Sequence, residues 1–269
     1  MIIPISLGPV GLKIRTVDQW IIDSIRIRFK PFIDNNQSDF VLNIKSVASH
    51  IDSEEYRSAK IWMEDDRLCV KRGDFFLNLS MSKPESCCEI LHGSEAGLDT
   101  ILKFAFVASA LRENGFFLHS AASVFDEKGW LFPGISGTGK TTMVRKLDSH
   151  QILTDEMALV IKKNQKWLVF GSPFSSVYNV DAVKIGVPIE AIFHINKSKD
   201  LLLKEMRSSV SAFQLLRLII GWKLELCKDQ VMDFVEDFTS ECYSFQLSYS
   251  LEHNIDKFLE GRFGKNHKK

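Results

Sequence analysis

Neither charge is in excess in the 269-residue sequence, because 34 lysines and arginines are balanced by 34 aspartates and glutamates. A chain without net charge gives no sign of nucleic acid or an anionic membrane as a partner. The sequence also lacks any apolar run long enough to span a bilayer, and its start, MIIPISLGPVGLK, lacks the basic residues and long apolar core of a signal peptide. We therefore expect a cytoplasmic protein that binds neither nucleic acid nor a membrane.

The cysteines follow neither a disulfide nor a zinc pattern. Their number is odd and no two of them form a C-x-x-C pair, so reduced thiols are the expected state. The positions are Cys69, Cys87, Cys88, Cys227 and Cys242. The sequence also has no internal repeat and no low-complexity segment, and 45% of its residues are apolar, which predicts a globular protein with a large core.

The distribution of strand and helix patterns predicts two domains. Residues 1–94 form a β-rich part with one helix at 17–29, and the segment 80–94, which contains Pro84, is typical of a loop that ends this part. Residues 95–269 combine helices and strands, which predicts an α/β fold for the second domain. Strands are predicted at 11–16, 39–47, 67–71, 75–81, 116–125, 130–133, 151–155, 157–162, 166–170, 189–195 and 244–247, and the remaining helices at 97–114, 141–147, 208–227, 228–238 and 251–259.

The stretch from Gly134 to Thr141 matches the phosphate-loop pattern G-x-x-x-x-G-K-[ST] without a gap. It lies between a predicted strand and a predicted helix, which is the context that this motif needs. The glycines let backbone N–H groups approach a polyphosphate, Lys140 is placed to reach the β- and γ-phosphates, and the Thr141 hydroxyl is placed to bind Mg²⁺. We predict a site for ATP, or another nucleoside triphosphate, with Mg²⁺. The residues of this site are Gly134, Ser136, Gly137, Thr138, Gly139, Lys140, Thr141 and Thr142.

Two adjacent acids, Asp155 and Glu156, follow a short predicted strand soon after the phosphate loop. A phosphate loop needs a carboxylate nearby to anchor Mg²⁺ or to accept the proton of an attacking hydroxyl. We predict that both acids lie beside the loop and share these tasks, with Thr141 as a further metal ligand; the alternative is a solvated turn. His119, in the apolar run FLHSAA ahead of the loop, is either a core residue or a member of the site.

The order of these motifs resembles a known family. LHSAAS, a strand and turn, FPGISGTGKTT, a helix and ILTDEMALV together resemble the kinase domain of the HPr serine kinase/phosphorylase family. The similarity is greatest to the shorter HPr-kinase-related proteins of peptide-modifying gene clusters, including lasso-peptide clusters, and it covers residues 115–195. The matching positions are His119, the run from Gly134 to Thr141 with Ser136 at the family's serine, and the pair Asp155 and Glu156.

The resemblance implies a fold similar to the nucleotide domain of phosphoenolpyruvate carboxykinase, with a mixed and strongly bent sheet. It also implies transfer of a phosphoryl group to a serine or related hydroxyl, with His119 beside the acid pair. The chain departs from the family at Glu156, where aspartate is usual. It also has no segment that matches the family's C-terminal loop for HPr recognition and dephosphorylation, so neither phosphorylase activity nor HPr as the substrate is expected.

The function predicted from the sequence is that of an ATP- and Mg²⁺-dependent kinase acting on a serine hydroxyl of a small protein or precursor peptide. Asp155 is expected to accept the hydroxyl proton, and Glu156 and Thr141 to hold the metal. The alternatives are a small-molecule kinase of the same fold and a nucleotide-dependent regulatory binding module. Related kinases suggest a homo-oligomer, and Arg145 and Arg207 are secondary candidates for contacts with phosphate or substrate.

Overall fold

A computed structural model describes residues 1–34, 38–48, 59–174, 185–221 and 228–264. Contacts divide the chain into two compact units, Met1–Glu113 and Asn114–Lys269. The sequence analysis placed the boundary between residues 94 and 95, ahead of the helix at 97–114, whereas the contacts place it after this helix. The helix belongs with the first unit because it packs against three strands of the first sheet.

The first unit contains a seven-stranded mixed sheet in the order β1-β2-β3-β7-β6-β5-β4. Strands β2, β3 and β7 are parallel neighbours, and the other pairs are antiparallel. The strands are β1 (Ile2–Leu7), β2 (Val10–Arg15), β3 (Val41–Val47), β4 (Lys60–Glu64), β5 (Arg67–Arg72), β6 (Phe75–Ser80) and β7 (Glu85–Leu91). Strand β7 lies where the sequence analysis predicted a loop. Its residues alternate between exposed and inward positions, but the inward ones include the small residues Ser86 and Cys88, which weakens the apolar alternation in the sequence.

Two helices, α1 (Gln19–Arg28) and α2 (Glu95–Arg112), complete the first unit together with a short 3-10 turn, Lys30–Phe32. Ser94 begins α2 as its N-cap, where its hydroxyl accepts a hydrogen bond from the Gly97 N–H at 3.2 Å. The helix, which the sequence predicted at 97–114, buries an apolar face against β2, β6 and β7. This face includes Leu98, Ile101, Leu102, Ala105 and Phe106.

The second unit contains an eight-stranded mixed sheet in the order β10-β8-β11-β12-β13-β15-β14, in which β9 pairs with both β8 and β13. Strands β9, β13 and β15 are parallel to one another, whereas the other pairs are antiparallel. The predicted α/β fold with a mixed sheet is therefore confirmed. The strands are β8 (Gly115–Phe125), β9 (Lys128–Pro133), β10 (Gln151–Thr154), β11 (Met157–Lys163), β12 (Lys166–Phe170), β13 (Gly186–Lys197), β14 (Leu202–Glu205) and β15 (Tyr243–Tyr249).

Four helices belong to the second unit within the described residues: α3 (Lys140–Arg145), α4 (Ser208–Leu216), α5 (Lys228–Glu241) and α6 (Ile255–Phe263). An apolar core joins α3 and α6 to strands β9, β13 and β15, with rings such as Trp130 and Phe193 at 5.3 Å between centroids. Helix α4 ends earlier than the sequence analysis predicted, and residues 222–227 of that prediction lie outside the described residues. None of the helices in the described ranges is long and apolar enough to cross a membrane.

Candidate functional site

Strand β8 has different neighbours on either side of one peptide group, between His119 and Ser120. Residues up to His119 pair with β11; beyond it, β10 pairs with residues 122–124 and β9 pairs with residues 120–125. The His119 carbonyl accepts a hydrogen bond from the Gly134 N–H at 3.1 Å, and the Ser120 N–H donates to the Glu156 carbonyl at 3.0 Å. Backbone atoms of one strand therefore fix the start of the phosphate loop and the acid pair next to each other.

The phosphate loop connects β9 to α3, as predicted, and its glycines adopt conformations that other residues avoid. Gly137 has φ of +82° and Gly139 has φ of +98°, both in the left-handed region that favours glycine. A Cβ atom at Gly134 would lie 2.6 Å from the Thr138 Oγ1, so this position also excludes a side chain without rearrangement. Ser136 and Thr142, which were predicted to contact the nucleotide, are exposed on this loop and on the first turn of α3.

Lys140 is the most unusual group of the site, because its side chain is charged at neutral pH and yet only 5% exposed. Its Nζ donates a hydrogen bond to the Ile135 carbonyl at 2.9 Å. Burial lowers the pKa of Lys140, and the carboxylates of Glu156 and Asp155 oppose that shift. An ammonium group has three donors, and a neutral backbone oxygen occupies one of them, so Lys140 is suited to an anionic ligand.

Asp155 and Glu156 form the two-residue bend between β10 and β11, here called the acid turn. Asp155 is 2% exposed, and its Oδ2 accepts a hydrogen bond from the Thr141 hydroxyl at 3.4 Å. Glu156 is only half-buried. The electrostatic effect of both carboxylates on Lys140 places all three groups in one cluster. The phosphate loop and the two acids therefore lie next to each other, as the sequence analysis predicted.

His119 lies against the acid turn through both its backbone and its ring. The ring Nδ1 is 3.0 Å from the Glu156 carbonyl oxygen. A carbonyl oxygen only accepts hydrogen bonds, so this contact requires a hydrogen on Nδ1, and the neutral ring then presents its lone pair on Nε2. His119 is half-buried, whereas its neighbours in the sequence, Leu118 and Ser120, are fully buried.

Two buried hydroxyl groups form hydrogen bonds to backbone carbonyls around the acid turn. The Thr154 hydroxyl donates to the Phe174 carbonyl at 3.2 Å, and the Ser172 hydroxyl donates to the Met157 carbonyl at 2.5 Å. These bonds fix the residues immediately before and after Asp155 and Glu156. Such support reduces the number of positions that the two carboxylates can adopt, which is a general requirement of a precise site.

The oxygen donors beside the loop are of the kind that Mg²⁺ takes in proteins. In the described part of the chain, no three His, Cys, Asp or Glu side chains lie close enough together to hold a metal ion. Mg²⁺ commonly takes one or two carboxylates, a hydroxyl, substrate phosphates and water. Thr141 and Asp155 supply the protein part of such a set at the mouth of the phosphate loop.

Two further residues lie close to the loop, and the sequence analysis missed them. A Cβ atom at Gly139 would lie 3.4 Å from the Tyr249 Oη and 4.0 Å from the Lys197 Cε. Both residues end strands that run parallel to β9, and no motif marks them. Only the pairing of β13 with β9 and β15, which the sequence does not reveal, brings them to the loop. By contrast, Arg145 and Arg207 are exposed on helix surfaces.

Comparison with known proteins gives little beyond these observations. No protein-family model matches the chain, and neither does any curated protein. Among solved structures, the Hpr(Ser) kinase/phosphatase from Coxiella burnetii is similar over 54% of this chain and 86% of that chain, with 13% sequence identity and a TM-score of 0.34. Since a likeness of this size carries no information about activity, the family resemblance of the motifs stays a prediction.

Proposed function

We propose that the protein is an ATP- and Mg²⁺-dependent phosphotransferase that acts on a serine hydroxyl of a small protein or precursor peptide. The observation that carries the proposal is the meeting of three motifs at the His119–Ser120 peptide: the phosphate loop, the acid pair and His119 itself. The acceptor class rests on the resemblance of the motif order to peptide-modifying kinases.

The chain's own residues supply the binding functions. Backbone N–H groups of the loop, made accessible by Gly137 and Gly139, donate to the phosphates, and Lys140 supplies a positive charge. Mg²⁺ bound at Thr141 and Asp155 would neutralise charge on the transferring phosphoryl group. The lowered pKa of Lys140 means that burial destabilises its charged form. Bound phosphates would stabilise the ammonium charge and so offset this cost of burial.

The transfer step requires one bond to form and one to break. The acceptor hydroxyl oxygen uses a lone pair to bond the γ-phosphorus, while the bond between that phosphorus and the bridging oxygen breaks and leaves its electron pair on ADP. The hydroxyl proton passes to a carboxylate of the acid pair. The products are ADP and a phosphoserine.

The contact between Thr141 and Asp155 favours a particular division of work between the two acids. Asp155 is nearly inaccessible and lies on the Thr141 hydroxyl, which suits a metal ligand. Glu156 is partly exposed, which suits the group that must reach an incoming hydroxyl. We therefore exchange the roles that were expected from the sequence: the metal is assigned to Asp155 and Thr141 and the proton to Glu156, with the His119 ring fixing the backbone of the acid turn.

Two variants test this division. Asp155→Asn should raise the Mg²⁺ concentration needed for half-maximal transfer at least about tenfold. Glu156→Gln should lower kcat by about 10² to 10⁴, while leaving the Mg²⁺ requirement unchanged. The matched control is Asp148→Asn, at an exposed position of the same unit, which should behave as the wild type.

The measurement uses γ-labelled ATP with candidate peptides, small proteins and free hydroxy compounds as acceptors. Label on a serine of a peptide or protein supports the proposal, whereas label on a free hydroxy compound would replace it with a small-molecule kinase. Slow release of inorganic phosphate without any labelled acceptor would favour a nucleotide-dependent binding module. If the two variants show the opposite pattern, the roles of Asp155 and Glu156 must be exchanged.

A further inference from the structure

Three parallel strands run toward the phosphate loop, and β13 and β15 continue past the end of β9 alongside it. The loop begins after the last residue of β9, Pro133, while Lys197 is the last residue of β13 and Tyr249 is the last residue of β15. Lys197 and Tyr249 lie opposite each other in the register of β13 and β15, and β13 is itself the parallel neighbour of β9. Ligands of open α/β sheets bind outside the carboxyl ends of parallel strands, so these two side chains stand at the expected position of a ligand.

The side chains of both residues reach the last glycine of the loop. Tyr249 is 3% exposed, and its hydroxyl oxygen lies 3.4 Å from the point where a Gly139 Cβ would be. The Lys197 Cε lies 4.0 Å from the same point, and the ammonium nitrogen is one bond farther along the chain. Lys197 therefore lies along the phosphate loop rather than extending straight into solvent from the end of its strand.

The charge of Lys197 is also available. The residue is exposed, and no ion pair joins it to an acid in the part of the chain that the structure describes. Other lysines of the second unit are neutralised in this way: Lys128 pairs with Glu190, and Lys162 pairs with Asp237 and Glu241. An ammonium group without an acidic partner, held beside a phosphate loop, has the chemistry to bind a phosphate as a point charge.

We infer that Lys197 is a second cation of the nucleotide site, which contacts the polyphosphate where it passes Gly139, and that Tyr249 holds the lysine stem against the loop. The inference rests on the proposed function and extends it to a residue that no motif contains. Lys140 then binds the polyphosphate from the buried side and Lys197 binds it from the solvent side. The ligand class that this pair selects is a nucleoside di- or triphosphate.

The test is the binding of MgADP to the full chain, measured by titration calorimetry for the wild type, Lys197→Gln and Lys199→Gln. Lys199 is the matched control because it is an exposed lysine two residues away, beyond the end of β13. Loss of one charge-assisted contact should raise the Kd for MgADP about tenfold in Lys197→Gln. Lys199→Gln should leave the Kd unchanged, and Lys197→Arg should retain most of the affinity. Melting curves without nucleotide check that all variants are folded.

Each outcome decides between the two proposals. If the wild type binds MgADP and Lys197→Gln binds it equally well, the role of Lys197 is overturned while the phosphotransferase proposal stands. If Lys199→Gln loses as much affinity as Lys197→Gln, the loss reflects the overall positive charge of the surface rather than a specific contact of Lys197, and the inference also fails. If the wild type itself does not bind MgADP, both proposals fall together. A selective, roughly tenfold loss in Lys197→Gln supports the inference.

Discussion

Each of the two units buries a charged side chain, but the surroundings favour the charged form in the first unit and disfavour it in the second. In the first unit, Asp74 is 1% exposed and accepts hydrogen bonds from the Arg72 Nε at 2.5 Å, the Arg72 Nη2 at 2.7 Å and the Ser94 Oγ at 2.5 Å. Burial by itself would raise the pKa of Asp74, but these bonds outweigh it and lower the pKa. In the second unit, burial dominates and lowers the pKa of Lys140.

The difference distinguishes an ion whose charge the fold favours from an ion that, under the proposed function, binds a ligand. A lowered carboxyl pKa means that the folded state favours the charged Asp74, whereas a lowered lysine pKa means that the folded state disfavours the charged Lys140. Buried charges that are fully paired contribute to structure, and buried charges without an ionic bond are typical of functional sites. Three predictions use this contrast.

The largest change in ligand affinity is expected at Lys140. Lys140→Met should lower the affinity for MgADP about a hundredfold, because the substitution removes the buried positive charge from the phosphate loop. The folded protein without nucleotide should be at least as stable as the wild type, since at neutral pH the fold disfavours the charge that the substitution removes. Calorimetry and chemical denaturation measure the two quantities. A clear loss of stability with unchanged affinity would make Lys140 a structural residue like Asp74.

The second prediction concerns Asp74. Asp74→Asn should lower the free energy of unfolding by about 3 kcal/mol, because it removes the carboxylate charge that pairs with the largely buried Arg72 guanidinium. Urea denaturation measures the loss, and Asp65→Asn, at an exposed turn position of the same unit, is the matched control. The affinity of the folded variant for MgADP should not change. A reduced affinity would contradict the separation of the two ions.

The smallest effect is a difference between the units on acidification. His150 and His194 are buried in the second unit, and burial lowers the pKa of each from 6.5 to about 4. Below pH 6.5 the unfolded chain binds protons that the folded chain does not, so each histidine lowers stability by about 1.4 kcal/mol per pH unit until pH reaches about 4. Asp74 has the opposite dependence, since its stabilisation is present above its ordinary pKa of 3.8 and is lost only below it.

Hydrogen exchange of backbone amides at pH values between 7 and 4 follows both units separately. At pH 5.5 the second unit should have lost about 2 to 3 kcal/mol of protection after correction for intrinsic exchange, while the first unit should be nearly unchanged. His194→Gln should reduce the loss by about half, because the amide does not titrate and can still bond the Ser211 hydroxyl, which lies 2.9 Å from the His194 Nε2. Equal losses in both units would contradict the contrast.

The sequence predicted the elements whose local signals are strong. The phosphate loop, the long strand ahead of it, the hairpin of β11 and β12 and the helix α2 all follow from glycines, turns and apolar periodicity. It did not predict β7, which the loop-like segment around Pro84 concealed, or β14, whose four residues are mostly exposed and carry no apolar alternation. The division between the units was also placed too early, because packing of α2 on the first sheet is a tertiary property.

The same limit applies to the candidate site. Local sequence was enough to propose the loop, Asp155, Glu156 and His119, since each lies in or near a recognisable motif. Lys197 and Tyr249 reach the loop only because β13 and β15 are its parallel neighbours, and strand order is set by contacts between residues far apart in sequence. Local sequence therefore predicts which residues lie at the end of a strand, but not which strands are neighbours in the sheet.

The peptide between His119 and Ser120 has a consequence for how this scaffold can evolve. Main-chain hydrogen bonds hold the loop and the acid turn in place, and such bonds do not depend on which side chains the joined residues carry. A mutation that removes one carboxylate is thus expected to leave the backbone of the loop and of the acid turn in position. Under the proposed function, a single substitution could then separate a phosphotransferase from a nucleotide sensor, so a gene copy freed from selection for transfer could acquire a signalling role without rebuilding its fold.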